Sequence, residues 1–192
     1  MSSRDKILAD VRANQPPWKH LPDLPQTTTG AGLVARFSET LNSIGAQVHF
    51  VDGYDEIIPL ITHIYGTDKR IIAMNPLFAV IAEIQSMYSA PATLADVELM
   101  ILETTLAVAE NGAVWITGDQ LTERVLPFIA RNCSVVVKQE AIVADMHQAY
   151  EQIGTDDYGF GSFIAGPSKT ADIEQSLVLG AHGPCSMTVF II

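Results

Sequence analysis

Apolar residues recur at two alternating spacings along this chain of 192 residues. Some segments repeat them every three or four positions, which is typical of helices, and between these lie short runs rich in β-branched residues, which favour strands. The predicted helices cover residues 3–13, 33–44, 54–65, 77–87 and 142–153. The predicted strands cover residues 47–51, 70–74, 97–102, 113–117, 134–137, 160–165, 176–179 and 187–192.

Alternating helices and strands with short connections predict an α/β layered fold with a mainly parallel sheet. The last two strands are joined by the short link AHGP, and we expect them to add an antiparallel extension. Residues 1–25 hold the first helix and the proline-rich run PPWKHLPDLP, and proline cannot continue a helix or a central strand. We therefore expect residues 1–25 to form a helix and a strap laid over the domain, and residues 26–192 to form a single domain.

An excess of acidic residues limits the partners of this chain. There are 22 acidic and 11 basic residues, giving a formal net charge of −11, and the basic residues are not clustered. Such a chain repels phosphate backbones and anionic lipids, so we expect no nucleic-acid partner. No segment has the roughly 18 consecutive apolar residues that a membrane span needs, and the first residues do not resemble a signal peptide. We expect no membrane insertion and a cytoplasmic location.

Two stretches resemble nucleotide-binding loops without their structural context. Residues 30–35 fit the pattern G-x-G-x-x-A before a predicted helix, but the preceding LPDLPQTTT is broken by prolines and does not form the required strand. Lys169-Thr170 resembles the end of a P-loop, although Ser168 and Phe163 stand where that loop needs glycine. We therefore expect no nucleotide cofactor.

Metal and redox chemistry also have few candidate residues. Cys133 and Cys185 are the only cysteines, and they could not alone hold an iron–sulfur cluster or a typical zinc site. The five histidines show no metal-like spacing. Of these, His182 stands out between two predicted strands, because an uncharged imidazole can act as a ligand or a base. We expect no metal and no cofactor.

The stretch AGPSKTADIE, residues 165–174, gathers small and polar residues directly after the predicted strand 160–165. Ligands of open α/β sheets bind at the carboxyl ends of strands, where loops and exposed amides converge. The stretch would bind a small anion through backbone amides, hydroxyls and a lysine, and a solvated turn with local hydrogen bonds is the alternative. The candidate ligand-binding residues are Gly166, Ser168, Lys169, Thr170, Asp172 and Glu174.

The stretch LAVAENGAVWIT, residues 106–117, places one carboxylate in apolar surroundings before a predicted strand. Burial would raise the pKa of Glu110 and suit it to acid–base or nucleophilic chemistry. Alternatively, Asn111 and Gly112 form a tight hairpin turn and Glu110 points into water, which the local pattern favours.

These two stretches carry a family resemblance. Residues 162–184, SFIAGPSKTADIEQSLVLGAHGP, are similar to the C-terminal signature of the LUD-domain family, of the lactate utilization protein C type. The Ala-Glu-Asn-Gly run is similar to the Ala-Glu-x-Gly motif of that family, and the resemblance covers residues 26 to 192. The chain departs from the family at residues 103–106, where Gly-Ala-Asp is frequent, and at Cys185, where a basic residue is usual.

The resemblance implies a Rossmann-like fold, shared with glucosamine-phosphate isomerase, ribose-phosphate isomerase and CoA transferases. It implies a part in oxidising L-lactate to pyruvate, beside partner proteins that hold iron–sulfur clusters. It also favours a small-anion site over a turn at residues 165–174, with Glu110 as the catalytic residue and Asn111, Gly112 and His182 near the ligand. We expect Glu110 to lie beside this loop at the carboxyl edge of the sheet.

Two other functions stay open on the sequence. One is a free-standing enzyme of the isomerase or transferase type that acts on a small phosphorylated or CoA-linked acid, with Glu110 as base or nucleophile. The other is a scaffold whose pocket has lost its activity.

Overall fold

The computed structural model describes residues 2–22, 32–84, 90–121, 123–155, 157–173 and 176–192. Its helices are α1 (Ser3–Ala13), α2 (Leu33–Ser43), α3 (Tyr54–Tyr65), α4 (Leu126–Ile129) and α5 (Met146–Ile153). Its strands are β1 (Gln47–Phe50), β2 (Ile71–Ala73), β3 (Glu83–Ile84), β4 (Leu99–Thr104), β5 (Ala107–Val108), β6 (Ala113–Thr117), β7 (Asn132–Val137), β8 (Ile142–Val143), β9 (Gly161–Ile164), β10 (Lys169–Ile173), β11 (Ser176–Leu179) and β12 (Ser186–Ile191). Short 3₁₀ helices cover Pro76–Phe78, Pro91–Leu94, Gly118–Gln120 and Gln139–Ala141.

Within the described ranges, six strands form a parallel sheet in the order β1-β12-β7-β4-β2-β3. Its central strands read as nearly continuous apolar runs, as expected for a parallel sheet covered on both faces. Strand β7, for example, is buried along its whole length. The predicted α/β fold with a mainly parallel sheet is confirmed.

The two faces of the parallel sheet pack against different elements. Alternate residues of a strand point to opposite faces. Leu99 and Ile101 of β4 therefore join the buried cluster that contains α3, whereas Met100 and Leu102 join the cluster that contains α2. The free energy that holds these layers together comes mainly from burying these aliphatic side chains.

A second sheet covers the α2 face of the parallel sheet. Among the described residues its four strands run in the order β8-β5-β6-β9, and β6 is antiparallel to both β5 and β9. Val114 and Ile116 of β6 point into the cluster shared with the parallel sheet. Trp115, between them, points outward and packs in the cluster that contains Ala149 of α5. The layers are thus α3, the parallel sheet, the second sheet with α2, and α5.

The predicted helix over residues 77–87 is wrong within its described part. A 3₁₀ turn begins at Pro76, where the Asn75 side chain accepts a hydrogen bond from the amide of Leu77. The chain then forms the short edge strand β3, which pairs with β2 and places Glu83 beside Arg70 in an ion pair of 3.1 Å. Sheet pairing and this ion pair override the helical spacing of the apolar residues. Residues 85–89 lie outside the described part.

The predicted antiparallel extension near the C-terminus is present, but β12 is not part of it. Strand β12 lies inside the parallel sheet, between β1 and β7. Strand β11 instead pairs antiparallel with β10. Among the described residues near the C-terminus, antiparallel pairing involves β9, β10 and β11. The link AHGP connects the β10–β11 hairpin to the parallel sheet. The predicted helix over residues 142–153 begins later than expected, because Ile142–Val143 pairs with β5.

Helix α1 begins at a capping box formed by Ser2 and Asp5. All described residues from 2 to 22 are exposed. A strap laid over the domain stays a prediction. The expected domain boundary at residue 26 falls outside the described ranges. In the described part of the chain, no helix is long and apolar enough to cross a bilayer.

Candidate functional site

The polar stretch that begins at residue 165 lies at the amino edge of the parallel sheet. The amide of Ser168 donates a 2.8 Å hydrogen bond to the carbonyl of Pro184, just before β12 begins. A Cβ on Gly166 would lie 3.1 Å from Cγ1 of Ile44, just before β1 begins. The expected position at the carboxyl edge is therefore wrong, because β9 belongs to the antiparallel second sheet rather than to the centre of the parallel one.

Glu110 lies in the hairpin turn between β5 and β6, and its side chain is exposed. The carboxylate is not buried, and the chain forms the hairpin turn that the local pattern favours. Gly112 takes the left-handed conformation that the turn needs, with φ of 71°. The Glu110 carboxylate accepts a 3.1 Å hydrogen bond from the amide of Met146 at the start of α5. An acidic group stabilises a helix at this end, so the structure gives Glu110 a local structural role.

The two motifs meet at the C-terminal end of α2. Cδ1 of Ile44 lies 3.0 Å from a Cβ built on Gly112 and 3.2 Å from one built on Gly166. Nearby, the hydroxyl of Thr40 donates a 2.9 Å hydrogen bond to the carbonyl of Ala109. The backbone turns of both motifs therefore pack on the same helix end, as the expected proximity requires. The Glu110 carboxylate itself is engaged at α5.

Lys169 lies beside the same helix end. Its Nζ is 3.5 Å from a Cβ built on Gly45, which follows α2 directly. A cation near the C-terminus of a helix interacts favourably with the unpaired carbonyls there. The position of Lys169 thus has a structural explanation that is independent of any ligand.

The remaining predicted site residues are spread around this edge. Asn111 is exposed, and its side chain accepts a 3.0 Å hydrogen bond from the amide of Ala113. Thr170 is half-buried and pairs with Val178 in the β10–β11 hairpin. His182 is exposed. Asp172 lies in β10, and Glu174 lies outside the described residues.

A different group of polar residues surrounds a cavity at the carboxyl edge of the parallel sheet. This cavity, here called the edge cavity, has a volume of about 330 Å³. A second cavity of about 340 Å³, lined in part by Trp115 and Tyr158, adjoins it. The two share Thr105 and Gln152 in their walls. The polar residues that line the edge cavity are Tyr54, Glu103, Thr104, Thr105, Lys138, Glu140 and Gln152.

Glu103 is held in place from two sides. It is half-buried near the end of β4, and its carboxylate accepts a hydrogen bond from the side-chain amide of Asn75. Its backbone carbonyl accepts a 3.2 Å hydrogen bond from the side chain of Gln120. The carboxylate therefore has a defined position in the wall of the cavity.

Tyr54 faces Glu103 from the first residue of α3. Burial raises the pKa of its phenol, and the charge of Glu103 and a hydrogen bond to that carboxylate raise the pKa further. The ring packs edge-to-face on Phe78 at 5.9 Å between centroids. The phenol thus stays protonated at neutral pH and can both donate and accept hydrogen bonds.

Lys138 supplies positive charge to the edge cavity. It follows β7 directly, and 64% of its side chain is exposed. Its ion pair with Glu140 is long, at 4.0 Å, and such exposed pairs contribute little. The ammonium group can therefore pair with an incoming anion.

The sequence contained a usable signal for these residues. Glu103 lies near the end of the apolar run LMILET, and Lys138 comes directly after NCSVVV. The rule that ligands bind at the carboxyl ends of parallel strands applies to both runs. Applied to residues 160–165 alone, the rule does not find the edge cavity.

The fold and the position of the edge cavity define an α/β protein with polar residues at the carboxyl edge of a parallel sheet. The LUD domain matches residues 34–192, and the chain belongs to the LUD domain family. It is 33% identical over 105 residues to Lactate utilization protein C of Oceanobacillus iheyensis, covering 51% of this chain and 44% of that protein. It is 34% identical over 106 residues to Lactate utilization protein C of Shouchella clausii, covering 53% and 45%. The matched stretch thus spans less than half the length of these relatives.

A solved structure supports the fold. The crystal structure of a DUF162 family protein from Deinococcus radiodurans superposes with a TM-score of 0.66 at 16% sequence identity. The match covers 86% of this chain and 99% of that one.

Proposed function

We propose that this protein is a non-redox component of a cytoplasmic L-lactate utilization system, acting beside partner proteins that hold iron–sulfur clusters. The observation that carries this proposal is membership of the LUD domain family, together with relatives named Lactate utilization protein C at 33% and 34% identity. The function would require binding of a small organic anion rather than electron transfer within this chain.

The chemistry of the cysteines supports the non-redox part of the proposal. Cys133 is buried in β7, and burial raises the pKa of its thiol to about 12. The thiolate is the form that binds metals, so this side chain is a poor ligand. Among the described residues, no group of three or more His, Cys, Asp and Glu side chains lies together as a metal site would need.

The purified chain is expected to be colourless and not to reduce a dye acceptor with L-lactate. The reason is that two separate cysteines cannot supply the ligands of a cluster. The measurement is a visible absorption spectrum of protein purified without oxygen, followed by the dye assay. An iron–sulfur or flavin spectrum in the isolated chain would contradict the proposal.

Growth of the source organism tests the proposed function itself. Deletion of the gene should abolish or strongly slow growth on L-lactate as sole carbon source, and a plasmid copy should restore it. Growth on pyruvate is the control, because it bypasses the oxidation. Normal growth of the deletion strain on L-lactate would overturn the proposal.

A free-standing enzyme acting on a small phosphorylated or CoA-linked acid is the second candidate. The observation that favours it is the pairing of Glu103 with Tyr54 at the carboxyl edge, where α/β enzymes hold their substrates. In this case Glu103 is better placed for acid–base chemistry than Glu110, whose exposed carboxylate is bonded to Met146. Turnover of a sugar phosphate or a CoA ester by the purified chain alone would favour this candidate.

The anion site predicted at residues 166–174 stays a prediction. The amide of Ser168 donates to Pro184, and its carbonyl accepts a 3.0 Å hydrogen bond from Gly180. An anion there would therefore meet the side chains of Ser168, Lys169 and Thr170. Replacing Ser168 or Lys169 by alanine should then weaken phosphate or L-lactate binding by roughly 10-fold in a calorimetric titration. If both variants bind as well as wild type, the stretch is a turn.

A further inference from the structure

We propose that the edge cavity binds a small hydroxycarboxylate, with its carboxylate paired to Lys138 and its hydroxyl held by Glu103 and Tyr54. This assigns a ligand site to residues outside the two family-like motifs. The proposal rests on the proposed function for the choice of L-lactate as first probe. The site itself rests on geometry.

The topology brings these groups to one place. Strands β4 and β7 are adjacent and parallel, with Glu103 opposite Val136 and Thr104 opposite Val137. The residue after β7, Lys138, therefore emerges at the same edge as the end of β4. Glu103 lies two residues after Ile101 and four after Leu99, so its side chain points to the same face of the sheet, towards α3. There it meets Tyr54 at the start of that helix.

The charges at the cavity restrict the class of ligand. The chain carries a net charge of −11, and Lys138 is the cation of the edge cavity. Glu103 and Glu140 line the same space. A phosphate with two charges would be repelled by two carboxylates and attracted by one ammonium group. A single carboxylate carries half that charge and is repelled less, and a hydroxyl on the same ligand offers Glu103 a polar partner.

The two side chains that would bind the hydroxyl of the ligand are already held in place. Glu103 is an acceptor fixed by Asn75, and the protonated phenol of Tyr54 can donate or accept. Groups that are already held in place lose little conformational freedom when a ligand binds. The volume of about 330 Å³ falls at the small end of ligand-binding cavities, which suits a small acid.

Calorimetric titration with named probes tests this site. Wild type should bind L-lactate and D-glycerate at millimolar concentrations, and propionate, which lacks the hydroxyl, at least about 5-fold more weakly. Lys138→Met should weaken binding of both hydroxy acids roughly 10-fold or more, because it removes the paired charge. Tyr54→Phe should weaken them about 3- to 10-fold while sparing propionate. Glu140→Gln should strengthen binding, since a repelling charge is lost.

Lys69→Met is the matched control, because it removes an exposed lysine at the opposite edge of the sheet, just before β2. It should leave all affinities unchanged. Lys138 and Glu140 are 64% and 75% exposed, so their variants should fold normally, and thermal unfolding checks this.

The outcomes separate the site from the proposed function. No binding of either hydroxy acid by wild type would overturn the site, and so would equal binding by wild type and Lys138→Met. If Lys169→Ala loses binding while Lys138→Met keeps it, the ligand binds at residues 166–170. That result would also overturn the site in the edge cavity. None of these binding results predicts the growth phenotype, so the growth experiment tests the proposed function independently.

Discussion

Replacing Gly161 by alanine is expected to lower the free energy of unfolding by about 2–4 kcal/mol. A Cβ at this position would lie 2.2 Å from Cη2 and 2.4 Å from Cζ2 of Trp115, and 2.9 Å from Cε2 of Tyr158. Movement of the indole would disturb its packing against Phe163, at 4.6 Å between centroids, and Trp115 is only 9% exposed. The strain would fall on β6 and β9 together.

Urea unfolding followed by tryptophan fluorescence measures this effect. Gly118→Ala is the matched control, because a Cβ there would make ordinary contacts of 3.6 Å or longer and the residue does not have a positive φ. We expect this control to stay within about 0.5 kcal/mol of wild type. If Gly161→Ala is equally mild, the indole has room to turn and the packing argument fails.

The local pattern predicted many elements well. The predicted helix over residues 54–65 and the predicted strands over residues 113–117 and 176–179 have the bounds that the structure shows. In α3, Ile57 and Ile61 lie four residues apart on one buried face, and Gly66 follows the helix. Such segments carry their own periodicity and stop signal, so the sequence specifies them without tertiary information.

Strand order could not be predicted in the same way. Strand β12 ends the chain yet lies between β1 and β7, and its apolar run would suit any buried strand. The β-rich run of β9 equally suits a central parallel strand or an edge of the antiparallel sheet. The position of the 165–174 stretch depended on this choice, so an error in topology became an error in the site.

The family-like motifs have a packing role that the sequence did not reveal. Gly112 and Gly166 both leave space for Ile44, whose side chain fills the gap between the two turns. A Cβ on either glycine would come within 3.2 Å of that side chain. These motifs thus join the second sheet to α2, whereas the edge cavity lies at the opposite edge of the parallel sheet. Only the folded arrangement separates these two roles.

The hydroxyl of Thr104 links the two sheets by hydrogen bonds, and its loss should be costly. Thr104 is the last residue of β4 and is 5% exposed. Its Oγ1 lies 2.6 Å from the carbonyl of Trp115 and accepts a 3.2 Å hydrogen bond from the amide of Leu106. The carbonyl of Leu106, 2.9 Å away, already accepts from the amide of Trp115. The hydroxyl proton therefore goes to the Trp115 carbonyl.

Thr104→Val is expected to destabilise the protein by about 2–3 kcal/mol. Valine keeps the shape of threonine, so the core stays filled, but the amide of Leu106 and the carbonyl of Trp115 lose a buried partner. Each such unpaired group costs about 1–3 kcal/mol, and partial relaxation keeps the sum below the maximum. Urea unfolding gives the value. Thr105→Val, one residue along and exposed, is the control and should change stability by less than about 0.5 kcal/mol. If the two variants are equally stable, the hydroxyl of Thr104 does not hold the sheets together.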